Sequence, residues 1–299
     1  MFKGIAAGLA AGALWGLVFV APRMLPGLSS IDLGAGRFIS FGLLSAFMML
    51  LVGQQRVWPT AQQALAALGM SLLGSTGYFL LLVWGIQDAG SEVPALIIGT
   101  IPIWVMLLGK PAHLKWAALL PGLLLTLCGI GLMTYASAGA ALAQQVGRPD
   151  FMRGVLLAVG SMACWTLYAV LNVAWLKRHP QVNATAWTNW QGLITGVCAL
   201  ALWLAWGTEG KVLLALDNKA LIAIVCLAIG IGSSWIATVF WNVASRRLSA
   251  SLCGQLIVSE TLFALLFSFL WDAALPSGVQ WAAALLFTLG ILASIRAHR

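Results

Sequence analysis

The sequence starts again near its midpoint. A segment that begins at Gly4 runs through apolar residues to Trp15, eleven positions later, and a segment that begins at Gly154 reaches Trp165 over the same distance. Because the two segments lie about half of the 299-residue chain apart, we predict that the chain is a duplication of one folding unit. Whatever fold one unit adopts, the other is expected to adopt as well.

The composition predicts that both units lie in a membrane. Hydrophobic residues make up 61% of the chain and charged residues 8%, whereas a soluble domain carries about 25% charged residues. A water-soluble fold of this size could not bury so much apolar surface, so we predict a multispanning membrane protein surrounded by the lipid bilayer. Loop topology and attraction to anionic lipids explain the net charge of +8, so no nucleic-acid partner is required.

A transmembrane helix needs about 20 mostly apolar residues. Clusters of charged, proline and glycine residues divide the chain into segments of that kind. We therefore predict ten spans, centred near residues 4–22, 32–52, 64–86, 92–109, 114–135, 152–176, 184–206, 219–243, 248–271 and 277–295.

The charged residues predict how these spans are oriented, because lysine and arginine accumulate in cytoplasmic loops. With ten spans, one side collects ten basic residues and no acidic residue: Lys3, Arg56, Lys110, Lys115, Lys177, Arg178, Arg246, Arg247, Arg296 and Arg299. The other side holds six basic residues and seven carboxylates: Arg23, Arg37, Arg148, Arg153, Lys211, Lys219, Asp32, Asp88, Glu92, Asp150, Glu209, Asp217 and Asp272. This partition supports ten spans and predicts that both termini lie in the cytoplasm.

Five spans per unit is an odd number, so the second unit must enter the membrane from the opposite side. Two such units pack about a pseudo-two-fold axis in the membrane plane, as in many secondary transporters. The predicted fold class is thus an all-α integral membrane protein with ten transmembrane helices in two inverted five-helix repeats. We place the repeats at residues 1–136 and 152–299, joined by a connecting loop at 137–151.

Several of these residues carry a resemblance to a known family. The run Ala13-Leu14-Trp15-Gly16, the pair Pro22-Arg23 that closes the first span, and Arg37 in the second span resemble the drug/metabolite transporter superfamily. Together with the ten spans and the repeat length, they are typical of its EamA-type ten-helix exporters. Within that branch, Gly77-Tyr78 and Cys164-Trp165 are similar to the aromatic amino acid exporters of the YddG type.

The resemblance implies a secondary transporter that exports small metabolites, namely aromatic or other neutral amino acids, by alternating access. Exporters of other amphipathic or cationic metabolites or drugs, and solute channels, remain alternatives. The resemblance does not imply an enzyme, and the sequence shows no catalytic triad, metal site, cofactor motif or phosphate-binding loop. Proton coupling and the oligomeric state are left open.

Four aromatic residues are the candidates for binding a substrate. Trp15 and Trp165 occupy matching mid-span positions, so the pseudo-two-fold axis can bring them face to face. Tyr168 lies on the same helical face as Trp165, and Tyr78 carries a second hydroxyl at membrane depth. We predict that Trp15, Tyr78, Trp165 and Tyr168 border a central cavity, although packing or lipid contact would also explain such residues.

Glu260 is the one carboxylate that the ten-span topology leaves deep inside a span. A charge at that depth is costly, so such residues usually face a cavity or a partner. We include Glu260 in the substrate site, where it could bind an ammonium group, carry a coupling proton or pair with Arg37. Ser259-Glu260 also departs from the family, since many relatives have a proline there and no carboxylate.

Pro94, Gly99 and Pro102 interrupt the fourth span. Proline removes a backbone hydrogen bond and bends a helix, which membrane proteins tolerate where neighbours or water replace the lost bond. We predict a gating element here, with a fixed kink as the alternative.

Overall fold

A computed structural model describes residues 1–51, 58–137, 149–273 and 275–298. Within these ranges the chain is helical and contains no strand. The assignments of Arg56, Arg148 and Arg299 to membrane sides, and most of the connecting loop 137–151, concern residues outside the described ranges.

The long helical elements follow the predicted segments closely. They are α1 (Phe2–Met24), α2 (Ser30–Leu51), α3 (Ala61–Ala89), α4 (Glu92–Leu108), α5 (Trp116–Ser137), α6 (Phe151–Arg178), α7 (Ala184–Trp206), α8 (Lys219–Arg247), α9 (Ala250–Asp272) and α10 (Gly278–Ala297). A short helix, Gly210–Ala215, lies between α7 and α8.

Eight of these helices are long and apolar enough to cross a membrane. The exceptions among the described elements are α4, which is shorter, and α7, which has 23 residues. The first half of α7 carries Thr188, Asn189 and Gln191, and these polar side chains lower its mean hydropathy. They are buried inside the bundle, so their polarity reflects contacts with other helices.

Side-chain caps set where several helices begin. The Thr60 and Ser277 hydroxyls each accept a hydrogen bond from the backbone N–H three residues on, and the Gln63 and Gln280 Oε1 atoms each accept one from the backbone N–H of the cap residue. Such capping boxes satisfy backbone donors that the first turn leaves without partners. Asn183 caps α7 in the simpler one-bond form.

Four helices are irregular inside, and α1 is one of them because a 3-10 turn, Leu17–Phe19, interrupts it before Ala21. The π-helical turns Leu72–Thr76 in α3 and Gly230–Ile236 in α8 interrupt their hydrogen-bond ladders. Helix α4 breaks at Thr100, between Gly99 and Ile101. The break comes two residues before Pro102, which has no N–H to continue the ladder.

Gly8, Gly12 and Gly16 recur every four residues along α1, and this glycine stripe faces α9. A Cβ atom at Gly8 would lie 2.6 Å from Leu256 Cδ1, and one at Gly16 would lie 2.8 Å from the backbone nitrogen of Ala264. The absence of side chains on this face lets the two helices approach closely, as is common in membrane bundles. The stripe therefore joins the two halves of the chain.

The packing partners of the two halves correspond to one another. Helix α1 packs on α8 and α9, and α6 packs on α3 and α4. The pairs α2–α7, α4–α9 and α5–α10 also pack together. If each helix is exchanged with the one five positions away in the chain, every pair in this set becomes another pair of the same set.

One end of the bundle is rich in basic residues, and we call it the basic end. Helix α6 finishes there on Lys177 and Arg178, and the Arg246 guanidinium at the end of α8 donates to the carbonyl of Pro180, 2.8 Å away. Helix α1 starts at the same end, since a Cβ atom at Gly4 would lie 3.0 Å from the Arg247 side chain.

Candidate functional site

Three indole rings meet at the centre of the bundle, and we call them the tryptophan triad. Trp15 of α1 lies 6.0 Å from Trp165 of α6, and Trp241 of α8 lies 5.4 Å from the first ring and 5.8 Å from the second, all between ring centroids. Helices from both halves of the chain supply these rings. The structure thus brings Trp15 and Trp165 together and adds Trp241, which was not a predicted site residue.

The Trp241 indole N–H is buried without a partner. The side chain is 1% exposed, and its Nε1 forms no hydrogen bond with any described residue. Buried tryptophan nitrogens normally find an acceptor, because an unmade bond costs about 1–3 kcal/mol. A donor of this kind beside Trp15 and Trp165 can bind an acceptor atom of a ligand.

The two predicted tyrosines lie on either side of the contact between α3 and α6. Tyr168 is buried beside Trp165, with ring centroids 5.8 Å apart, and its ring fills the space that a side chain at Gly74 would need. Tyr78 is half-buried, and its carbonyl accepts a 2.8 Å hydrogen bond from the Ser161 hydroxyl. Both tyrosines belong to the same apolar core as the triad.

A buried amide network lies between the triad and the basic end. Asn172 donates to Asn242 Oδ1 at 2.8 Å and to Ser245 Oγ at 3.4 Å, while its own Oδ1 accepts from Trp187 Nε1 at 2.7 Å and Gln191 Nε2 at 3.3 Å. All five side chains are buried. Each bond joins α6 either to α7 or to α8. The network therefore holds these three helices together on this side of the triad.

Glu260 lies half-buried near the middle of α9. Its carboxylate forms no hydrogen bond and no ion pair with any described residue. Its backbone is pressed against α1, since a Cβ atom at Gly12 would lie 3.0 Å from the Glu260 nitrogen. Trp15 follows Gly12 by one helical turn, so the carboxylate and the triad occupy neighbouring levels of the bundle.

The charge count assigns Arg37 to the non-cytoplasmic side of the membrane, early in the second predicted span. The structure places it inside α2, seven residues or about 10 Å beyond Ser30. Its Nε donates to Ser234 Oγ at 2.7 Å and its Nη2 to the Ser233 carbonyl at 3.1 Å. An arginine within the apolar run of the second predicted span was the signal available in the sequence, but its partners on α8 were not predicted.

Glu260 and Arg37 carry opposite charges that influence one another at a distance, and Tyr78 lies near them, although the three residues come from three different helices. The two opposite charges do not form an ion pair among the described residues. The predicted contact of Glu260 with Arg37 is thus a longer-range interaction. An uncompensated charge at mid-depth costs at least about 2.5–3.5 kcal/mol, which such a separated pair offsets only in part.

The break in α4 lies against the same centre. The Thr100 hydroxyl donates to the Ile97 carbonyl at 2.6 Å and is 3.2 Å from the Met162 sulfur of α6. Met162 precedes Trp165 by one turn. Pro94 and Pro102 are buried, whereas a side chain at Gly99 would meet open space. The three predicted gating residues therefore flank a real irregularity, and their role in gating stays a prediction.

The described part of the chain offers no metal centre, because no three His, Cys, Asp or Glu side chains cluster there. A small cavity opens at the basic end, lined by Val243, Arg246 and Arg247. At the level of the triad, by contrast, the indole rings pack against one another, with centroids 5.4 Å to 6.0 Å apart.

Comparisons with a known protein, a solved structure and a family model agree with one another. The chain is 30% identical to Inner membrane protein YtfF of Escherichia coli (strain K12), over 99% of this chain and 96% of that protein. A crystal structure of a protein 20% identical in sequence has the same fold, with a TM-score of 0.78 and coverage of 99% of this chain and 98% of that one. Residues 2–135 and, separately, 152–296 match the model of the EamA-like transporter family. The chain belongs to the EamA-like transporter family.

Proposed function

We propose that this protein is a secondary carrier of the bacterial inner membrane that exports neutral amino acids, aromatic ones included, by alternating access. Membership of a transporter family supports transport, and the similarity to an inner membrane protein supports the location. The observation that carries the proposal is the tryptophan triad, where both halves of the chain meet at an unpartnered indole N–H. Flat aromatic surfaces with one polar donor suit a planar or amphipathic solute.

The proposed architecture is ten transmembrane helices in two inverted repeats, residues 1–136 and 152–299. Separate matches of the family model to 2–135 and 152–296 support two units of one kind. The exchange of packing partners between α1 and α6 supports a two-fold relationship. We expect the halves to superpose after a rotation of about 180° around an axis in the membrane plane. An axis along the membrane normal would contradict the proposal.

Alternating access is supported by an asymmetry between equivalent helix pairs. Helices α6 and α8 pack together at the basic end, where Asn172 bonds to Asn242. Exchanging each helix with the one five positions away relates α6 and α8 to α1 and α3. Helices α1 and α3 make at most a marginal contact among the described residues. If the basic end faces the cytoplasm, this conformation is closed to the cytoplasm, and the reverse conformation would part α6 from α8. The break at Thr100 then gives α4 a point at which to bend.

Transport in proteoliposomes tests the proposal. Purified protein is reconstituted and offered a panel of radiolabelled amino acids, with and without a pH gradient. We expect saturable uptake of aromatic or other neutral amino acids and counterflow when the vesicles are preloaded. A response to the pH gradient would identify proton coupling.

Two controls separate a carrier from the other candidates. Vesicles without protein give the leak, and vesicles with the Trp165→Ala variant give transport by a protein that lacks the triad. Flux that does not saturate and shows no counterflow would indicate a channel. Transport of cationic drugs with no transport of amino acids would indicate the exporter of amphipathic or cationic compounds.

A further inference from the structure

Arg37 carries a positive charge that the protein positions but does not neutralise. The guanidinium has five N–H donors, of which the structure uses two, on Ser234 Oγ and the Ser233 carbonyl. No carboxylate pairs with it among the described residues. Three donors of a fixed, planar group therefore remain for another partner.

The position of this guanidinium is determined by an irregularity in α8. Ser233 and Ser234 lie within the π-helical turn Gly230–Ile236, where the ladder of regular hydrogen bonds is interrupted. Such turns free carbonyl groups and often occur at functional sites. Here the Ser233 carbonyl and the Ser234 hydroxyl both accept from Arg37 and so fix the direction of its fork.

Glu260 supplies the opposite charge across the bundle. It has no hydrogen-bonding partner among the described residues, it is half-buried, and it interacts electrostatically with Arg37. Ser234 precedes Trp241 by seven residues, about 10 Å along α8, and Glu260 lies one turn from the level of Trp15. The two charges thus come from α2 and α9 and form no ion pair with one another among the described residues.

We propose that Arg37 determines specificity by binding the carboxylate of a zwitterionic substrate whose ammonium group binds Glu260. A guanidinium fork matches a carboxylate in geometry and charge, and both form strong hydrogen bonds. A zwitterion satisfies both charges at once, whereas an amine leaves Arg37 without a partner and a carboxylic acid leaves Glu260 without one. The assignment rests on the proposed function and adds to it the requirement that the substrate carry both charges.

Competition with the unmodified protein tests the assignment first. Uptake of a transported amino acid is measured against the same amino acid, its decarboxylated amine and its deaminated acid as unlabelled competitors. We expect the amino acid to compete at least about tenfold better than either analogue, because each analogue loses a charge-assisted hydrogen bond. If the amine competes as well as the amino acid, the assignment of Arg37 is wrong and the proposed function stands.

Variants then test which residue binds which charged group of the substrate. R37Q should raise KM for the amino acid at least about tenfold and leave inhibition by the amine within about twofold, and R37K should be intermediate. E260Q should weaken inhibition by the amine and leave inhibition by the acid unchanged. R153Q is the matched control, since it removes an exposed arginine that pairs with Asp88 far from the triad.

Measuring the thermal stability of each variant in detergent separates loss of binding from loss of fold. If R37Q unfolds, R37K and the competition series still decide the question. If R37Q and R37K weaken the amino acid and the amine equally, Arg37 has a structural role and the proposal is overturned. If the unmodified protein transports no amino acid, the proposed function and this assignment fail together.

Discussion

Trp15 and Trp165 meet edge to face with ring centroids 6.0 Å apart, although 150 residues separate them in the chain. Each is the tryptophan that marks the start of its half of the sequence. Their contact places the start of the duplicated unit at the centre of the bundle, beside the unpartnered nitrogen of Trp241. The residues that most clearly record the duplication are therefore those that we expect to contact the substrate.

Replacing Trp165 by alanine should weaken transport without lowering expression. Trp165 contacts Trp15, Trp241 and Tyr168, and each aromatic pair contributes about 0.5–1.5 kcal/mol beyond area burial. We expect KM in proteoliposomes to rise at least about tenfold. Trp281→Ala, at an exposed site on α10, is the matched control and should transport normally. Unchanged kinetics in Trp165→Ala would count against the aromatic site.

Glu260→Gln should fold normally but reduce transport of substrates that bear an ammonium group, or remove the pH dependence of transport. Glutamine keeps the shape of the side chain and removes the charge that faces Arg37 and Tyr78. The measurement is initial uptake across a series of pH values, with Glu209→Gln, exposed after α7, as the control. Normal transport by Glu260→Gln at every pH would make Glu260 a structural residue.

Asn172→Ala should destabilise the protein by at least about 2 kcal/mol. The change removes the partner of Trp187 Nε1, Gln191 Nε2 and Asn242 Oδ1, and each orphaned atom costs about 1–3 kcal/mol. Denaturation in detergent micelles measures the loss, with Asn218→Ala at an exposed site as the control. Equal stability of the two variants would show that the network contributes little to closing the basic end.

Gly12→Ala should separate α1 from α9 and impair transport. The added Cβ would collide with the Ser259 hydroxyl and approach the Glu260 nitrogen, and overpacking of this kind costs about 1–3 kcal/mol. Gly131→Ala is the matched control, because its Cβ meets open space and alanine favours a helix by up to about 1 kcal/mol. Thermal stability and uptake should fall in the first variant only.

Reporter fusions test the predicted orientation. A reporter that is active only in the cytoplasm should be active when fused after His113, and one that needs the periplasm should be active when fused after Glu209. The predicted topology places His113 after the fourth span and Glu209 after the seventh. One span more or fewer before either residue would move that residue to the other side of the membrane and reverse the reporter result. Activity of one reporter type at both positions would refute the ten-span topology.

The bounds of the long helices were largely readable in the sequence because each is a local property of a hydrophobic run, whereas the crossing of a membrane by ten of them stays a prediction. The break at Thr100 was also anticipated, since Pro102 lacks the N–H that a continuous α4 would need. The π-helical turns were not, because no residue type in Leu72–Thr76 or Gly230–Ile236 requires one. They depend on how α3 and α8 pack against their neighbours.

The sequence by itself determined the membrane class, the segments and the candidates Trp15 and Trp165, because apolar length and an internal repeat are written along the chain. Only the tertiary structure decided which side chains meet. It brought Trp241 into the triad and Arg37 of α2 within hydrogen-bonding distance of Ser234 of α8. The reason is physical: helix propensity and hydrophobicity act over one or two turns, whereas ring contacts and buried hydrogen bonds depend on the distances between helices far apart in the chain.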